Sequence, residues 1–154
     1  MNTTLFTNEG VQQLYKRIDQ LTPQSQRQWG KMNVSQMLEH CQKPLEVAVN
    51  AHLLKQGLMM KILSALMGKK VKAQYMSAQE LKKNSPTSPD FIIKNTPDFE
   101  AAKQKLKDDI QIFSQKGITK QLGDKHPFFG PMTHEEWNML QWKHLDHHLK
   151  QFGV

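Results

Sequence analysis

Trp137-Asn138-Met139-Leu140-Gln141-Trp142-Lys143-His144-Leu145-Asp146-His147-His148 is the stretch that decides the fold. Its large apolar residues return every three or four positions, which is the period of an amphipathic helix. A full capping box, Thr133 with Glu136, precedes it, and Met132 and Trp137 are spaced to form a hydrophobic staple. On such a helix His144 and His148 lie one turn apart on the same face. Two imidazoles so placed are the usual half of a metal site, and they ask for a third ligand elsewhere.

Three more segments carry the same helical period. The first is predicted from Glu9 to Gln20, capped by Asn8, with Val11, Leu14, Ile18 and Leu21 as its buried stripe. The second begins after Asn33, which forms a variant capping box with Gln36. Its apolar side is Val34, Met37, Leu38, Cys41, Leu45 and Ala48, and Pro44 inside it should bend the helix or loosen the carbonyl region at Glu39 and His40. The third has Thr96 as cap and Pro97 at its first position, a stripe of Phe99, Leu106, Ile110 and Phe113, and Gly117 as its stop.

Between the second and third lie a short apolar helix, Leu58 to Met67, bounded by Gly57 and Gly68, and an irregular stretch through Ser85-Pro86-Thr87-Ser88-Pro89. Loops of that length are usually functional or mobile. His126-Pro127-Phe128-Phe129-Gly130-Pro131 leads into the last helix, which ends near Gly153. No strand periodicity and no internal repeat stands out. Four amphipathic helices in 154 residues give an all-α expectation, one four-helix bundle domain over residues 1–154. The long connection can carry the chain back along the bundle, so the middle pair runs parallel in up-down-down-up order.

The formal net charge is +7, which favours anionic partners without choosing among them. Much of it lies in Lys61, Lys69, Lys70, Lys72, Lys82 and Lys83, read as a solvated surface. The only arginines are Arg17 and Arg27, and Tyr75 is the one aromatic among those lysines, so no nucleic-acid partner is expected. The single cysteine, Cys41, excludes an intrachain disulfide and fits a reducing cytosol. Met1 to Gly10 has no signal-peptide pattern, and the apolar run from Gly57 to Gly68 is too short to span a bilayer. A cytoplasmic protein without a membrane partner is the expectation.

His40 is the best third ligand. It lies seven residues beyond Asn33, about 10 Å into its helix. The midpoint of His144 and His148 lies seven residues before Gly153, again about 10 Å from an end. Those levels coincide if the second and fourth helices are antiparallel, as up-down-down-up order requires. Three neutral histidines with an open position suit a catalytic metal, zinc or nickel ahead of iron or manganese.

His147 competes with His148 as the partner of His144, because i,i+3 also shares a face. His148 continues the stripe Trp137, Gln141, His144, Phe152, whereas His147 falls on the shoulder, exposed or behind the ligands. His126 reads first as a turn residue and second as part of the site mouth. His52 and His134 read as surface histidines. Cys41 reads as a small buried residue, Glu39, Glu135 and Glu136 as surface or capping carboxylates, and Asp146 as pointing away.

Trp29-Gly30-Lys31-Met32, Met37-Leu38-Glu39-His40-Cys41, His126-Pro127-Phe128-Phe129-Gly130, Glu136-Trp137 and the block from His144 to Gly153 together resemble the DinB/YfiT-like superfamily. More narrowly, they resemble a branch of it described as a domain of unknown function. The resemblance runs from about Leu14 to the C-terminus. It implies a four-helix bundle that binds a divalent metal through one histidine of the second helix and an H-x3-H pair of the fourth. Those positions are His40, His144 and His148 here. It also implies a metal-dependent transferase or hydrolase acting on a small molecule, with a low-molecular-weight thiol as co-substrate in characterised relatives and a homodimer as a common state. A metal-free helical ligand-binding or protein-interaction module is the rival expectation.

Overall fold

The computed structural model describes residues 4–50, 57–77 and 80–154; His52 lies outside them. Among the described residues the chain is mostly helical: α1 (Asn8–Asp19), α2 (Val34–Ala48), α3 (Leu58–Tyr75), α4 (Phe99–Ile118) and α5 (His134–Gln151). A 3-10 turn covers Pro89–Phe91, and a two-residue antiparallel ladder, β1 (Lys125–His126) with β2 (Gly130–Pro131), closes the loop before α5.

The helix starts follow from capping chemistry, with two corrections. Thr7, not Asn8, caps α1, its hydroxyl accepting from the Gly10 amide at 3.2 Å. Asp98, not Thr96, caps α4, accepting from the Ala101 amide at 2.9 Å. A charged carboxylate at a helix N-terminus also meets the positive end of the macrodipole, so Asp98 prevails. Thr96 instead accepts from Asn33 Nδ2 at 3.2 Å. Both capping boxes read from the sequence form, Asn33 with Gln36 and Thr133 with Glu136.

Two of the glycines expected as stops, Gly68 and Gly117, do other work, whereas Gly153 (φ 79°) follows the end of α5 as expected. α3 passes through Gly68 and ends at Tyr75. Gly68 is a notch: a Cβ there would lie 2.4 Å from the Phe128 carbonyl oxygen, which also accepts from Ser64 Oγ at 2.6 Å. Gly117 lies inside α4, with the Phe6 ring where its Cβ would be. α4 ends beyond it in a Schellman motif whose left-handed residue is Lys120 (φ 56°), with Gln121 N–H donating to the Lys116 carbonyl at 2.7 Å. α2 continues through Pro44 to Ala48. Proline has no N–H, so the ladder lacks the bond residue 44 would give the His40 carbonyl.

Side-chain contacts give the order of the four principal helices. Along α2 and α4 the partners advance together: Gln36 Nε2 donates to the Asn95 carbonyl at 3.2 Å, Gln42 Nε2 to the Ala102 carbonyl at 3.0 Å, and Lys105 pairs with Glu46 at 2.8 Å. These helices are parallel. Between α2 and α5 the order reverses, His40 meeting His144 while Gln141 Nε2 donates to the Pro44 carbonyl at 2.9 Å. α1 opposes α4, with Tyr15 donating to the Lys107 carbonyl at 2.7 Å and Phe6 stacking near Phe113. It runs with α5, Leu5 N–H donating to Asn138 and Arg17 pairing with Asp146 at 2.8 Å. Leu14, Ile18, Met37, Leu38, Leu45, Leu106, Ile110, Phe113, Trp137 and Leu145 fill the interior between them.

The small ladder was not legible as strands, and it explains His126. The buried ring accepts at Nδ1 from the Phe128 and Phe129 amides, at 3.0 and 3.2 Å, and stacks on Phe129 with centroids 4.3 Å apart. An accepting Nδ1 puts the proton on Nε2, and burial pushes the ring pKa down to about 4. The first of the two expected roles, turn residue, is the one observed. His126→Ala removes the acceptor for both amides and is expected to cost about 1–3 kcal/mol in chemical denaturation. His126→Asn should recover part of that, because an Asn carbonyl accepts from the amide two residues on. An Ala variant as stable as the parent would contradict the turn role.

Candidate metal centre

α2 and α5 bring three histidines to one point. His40 and His148 are buried and His144 is half-buried. One ring nitrogen from each lies within 4.8 Å of the others, a group that could hold a metal ion. The ring centroids are 5.1 Å (His40–His144), 4.7 Å (His40–His148) and 4.6 Å (His144–His148) apart. The antiparallel register places His40 level with the α5 pair, as the axial positions predicted. Asp146 turns away to Arg17 and Lys150, and Cys41 packs against Met37 Sδ at 3.7 Å, its thiol pKa pushed up by burial.

The donor chemistry fits a cation. His40 Nδ1 lies 2.9 Å from the Phe91 carbonyl oxygen. That oxygen only accepts, so Nδ1 carries the proton and Nε2 presents a lone pair. His40 Nε2 lies 3.2 Å from His144 Nε2. Two nitrogens sharing a tetrahedral divalent ion at Zn–N distances of about 2.0–2.1 Å sit about 3.3 Å apart. Without a cation the same gap is bridged by an Nε2 proton on His144 donating to His40. Moving that proton to Nδ1 frees His144 Nε2 with no change in net charge. His144 Nδ1 is buried and has no hydrogen-bond partner, so it can take the proton. His148 Nδ1 meets Gln151 Oε1 at 2.9 Å.

All three rings are held neutral. Burial is the first cause in each: it lowers His40, pushes His144 well below its ordinary value and pushes His148 down to about 3. The neighbouring imidazoles lower His144 and His148 further. Neutral imidazole is the form that ligates a metal.

A cleft of about 680 Å³ reaches the rings. Trp29, Lys31, Tyr75, Lys82, Phe91 and His147 are among its lining residues. His147 is half-buried, its edge toward Trp29 at 5.7 Å between centroids, so it belongs to the cleft wall rather than the open surface. His134, expected on the surface, is half-buried at the start of α5, with Nδ1 enclosed and unpaired. Sequence reasoning missed two partners of these three rings. Gln151, three residues after His148, shares its face, and that spacing was a usable signal. The Phe91 carbonyl is backbone and leaves no compositional trace.

The pKa depressions give a pH dependence. Folded values below the unfolded 6.5 mean the unfolded chain binds more protons between about pH 6.5 and 3. Metal-free protein should therefore keep full stability above about pH 6.5 and lose it as pH falls toward about 3. His148→Gln should flatten that loss. Urea midpoints measured in chelator across the range test it, and a pH-independent midpoint would contradict three rings held neutral in the fold.

Among the described residues no helix is long and apolar enough to cross a membrane. No curated protein and no solved structure matches the chain. A family model described as protein of unknown function (DUF1569) matches residues 4–153, and the chain belongs to that family.

Proposed function

We propose that this chain is a divalent-metal-dependent enzyme, a transferase or hydrolase, that acts on a small molecule at His40, His144 and His148. The observation that carries this reading is the convergence of three neutral imidazoles, with His40 Nε2 and His144 Nε2 3.2 Å apart among the residues lining a cleft. Three protein nitrogens leave one tetrahedral position for a substrate or water. The reading takes the chain as one DinB-like domain, a four-helix bundle in up-down-down-up order. The advancing contacts of α2 with α4 and the reversed contacts of α2 with α5 support that topology. Zinc or nickel suits an all-imidazole set, with iron or manganese as further candidates.

A bound cation of this kind supplies Lewis acidity and lowers the pKa of a water or thiol in the open position. The protein's own groups do the rest. Phe91 fixes the His40 ring through its carbonyl. Lys31 and Lys82 give the cleft a cationic rim, and Lys83 Nζ lies 4.1 Å over the Trp29 ring. Glu80, the acid among the lining residues, is held by Lys150 at 2.7 Å. An anionic small molecule, a low-molecular-weight thiol among them, fits that rim. The single buried cysteine is consistent with work in the cytoplasm.

A second reading, a metal-free ligand-binding or protein-interaction module, draws on α3. Its outward face exposes Ile62, Leu63, Leu66 and Met67, an apolar surface that a second copy of the chain could cover. Elemental analysis separates the two. The enzyme reading expects about one divalent ion per chain in the purified protein, since one three-histidine set holds one ion. His144→Ala should lose nearly all of it and His134→Ala almost none. Equal losses in both variants, or a metal-free protein whose melting temperature is unmoved by added zinc or nickel, would favour the second reading.

A further inference from the structure

Gln151 is 3 % exposed and touches two parts of the site at once. Its Nε2 donates to the Trp29 carbonyl at 2.8 Å, and its Oε1 lies 2.9 Å from His148 Nδ1. Its own carbonyl accepts from the Gln28 amide at 2.7 Å. The Trp29 carbonyl can only accept, so the amide must turn its NH2 toward it. Oε1 then faces His148 and can only accept, so His148 must carry its proton on Nδ1. The lone pair is thereby placed on Nε2. The arrangement needs residue 30 to have no side chain: Gly30 has φ +82°, and a Cβ there would sit 2.3 Å from Gln151 Nε2.

We propose that Gln151 is a positioning residue. It sets the tautomer of His148 from the Trp29 carbonyl, and so couples the Trp29–Gly30 wall of the cleft to the three-histidine centre. A ligand that shifts Trp29 then changes metal affinity, and metal changes affinity for that ligand by the same factor. The metal half of this inference rests on the enzyme reading above; the tautomer half does not.

The test uses the full chain with 15N-labelled histidine, and zinc titrated against a chromophoric chelator. Metal-free parent protein should show His148 as the Nδ1–H tautomer in long-range 1H–15N correlation spectra. Gln151→Leu should lose that fixed tautomer and bind zinc ~10–100-fold more weakly, the usual effect of removing the partner of a ligating histidine. Gln151→Glu keeps an acceptor opposite His148 but loses the donor to Trp29. It should keep the tautomer and the affinity while amide exchange at Trp29 and Gly30 speeds up. Gly30→Ala touches no imidazole, yet it should weaken zinc as Gln151→Leu does, which keeps the proposal testable if the Leu variant does not fold. An Nε2–H His148 in the parent overturns the proposal, as does zinc bound equally by parent, Gln151→Leu and Gly30→Ala. If the parent binds no zinc but shows the Nδ1–H tautomer, the enzyme reading fails and the positioning role of Gln151 stands.

Discussion

Burying imidazoles between two antiparallel helices forces a solution for each ring nitrogen. A buried polar atom without a partner costs about 1–3 kcal/mol, and a buried unpaired charge costs more. Neutrality removes the charge cost, and the lowered pKa values of all three rings express it. The nitrogens are then paired off: His40 Nδ1 with Phe91, His148 Nδ1 with Gln151, and the two Nε2 atoms of His40 and His144 with each other. His144 Nδ1 remains unpaired, and His148 Nε2 carries the lone pair left by its proton on Nδ1. An apolar trio of the same volume would hold α2 on α5 without any of these requirements. The polar centre is therefore understood through what it can bind rather than through stability.

Environment divides the histidines more sharply than spacing does. His126, like His148, is buried and neutral, but its Nδ1 is spent on two turn amides and its ring lies against Phe129 and Trp137. It organises the loop that delivers α5. His147, one residue from His148, is rotated about 100° around the helix, enough to move it to the cleft wall beside Trp29. His134 starts the same helix yet lies ten residues, about 15 Å, from His144 along it. One residue type thus serves as turn acceptor, cleft wall, helix-start residue and candidate cation ligand, according to what each nitrogen meets.

The helical stripes and the α5 cap could be read because period and capping are local. Val11, Leu14 and Ile18, or Leu106, Ile110 and Phe113, need no knowledge of their partners to declare a face. The three histidines were legible for a related reason: rise per residue converts sequence position into axial height. What could not be read was set by distant chain. Gly68 looks like a stop until the Phe128 carbonyl is seen occupying its notch. Gly117 looks like one too, but Phe6 fills that space and Lys120 takes the left-handed position instead. The two-residue ladder is too short to have a period at all.

The long connection between α2 and α4 has a role that chain economy alone does not supply. A parallel pair needs a return path, but the direct return is only as long as α2, about 22 Å for its fifteen residues. The extra length forms α3 and then the stretch that lines the cleft from Asn84 to Thr87 before the 3-10 turn at Pro89–Phe91. Pro89 starts that turn, and Phe91 N–H donates to the Ser88 carbonyl at 2.9 Å. The turn aims the Phe91 carbonyl at His40 Nδ1, while Gln36 holds the Ile93 and Asn95 carbonyls from α2. The segment that looks least structured in the sequence therefore fixes the proton of the one histidine of the three that α5 does not supply. Its prolines restrict the backbone before folding, which lowers the entropy lost in holding that carbonyl in place.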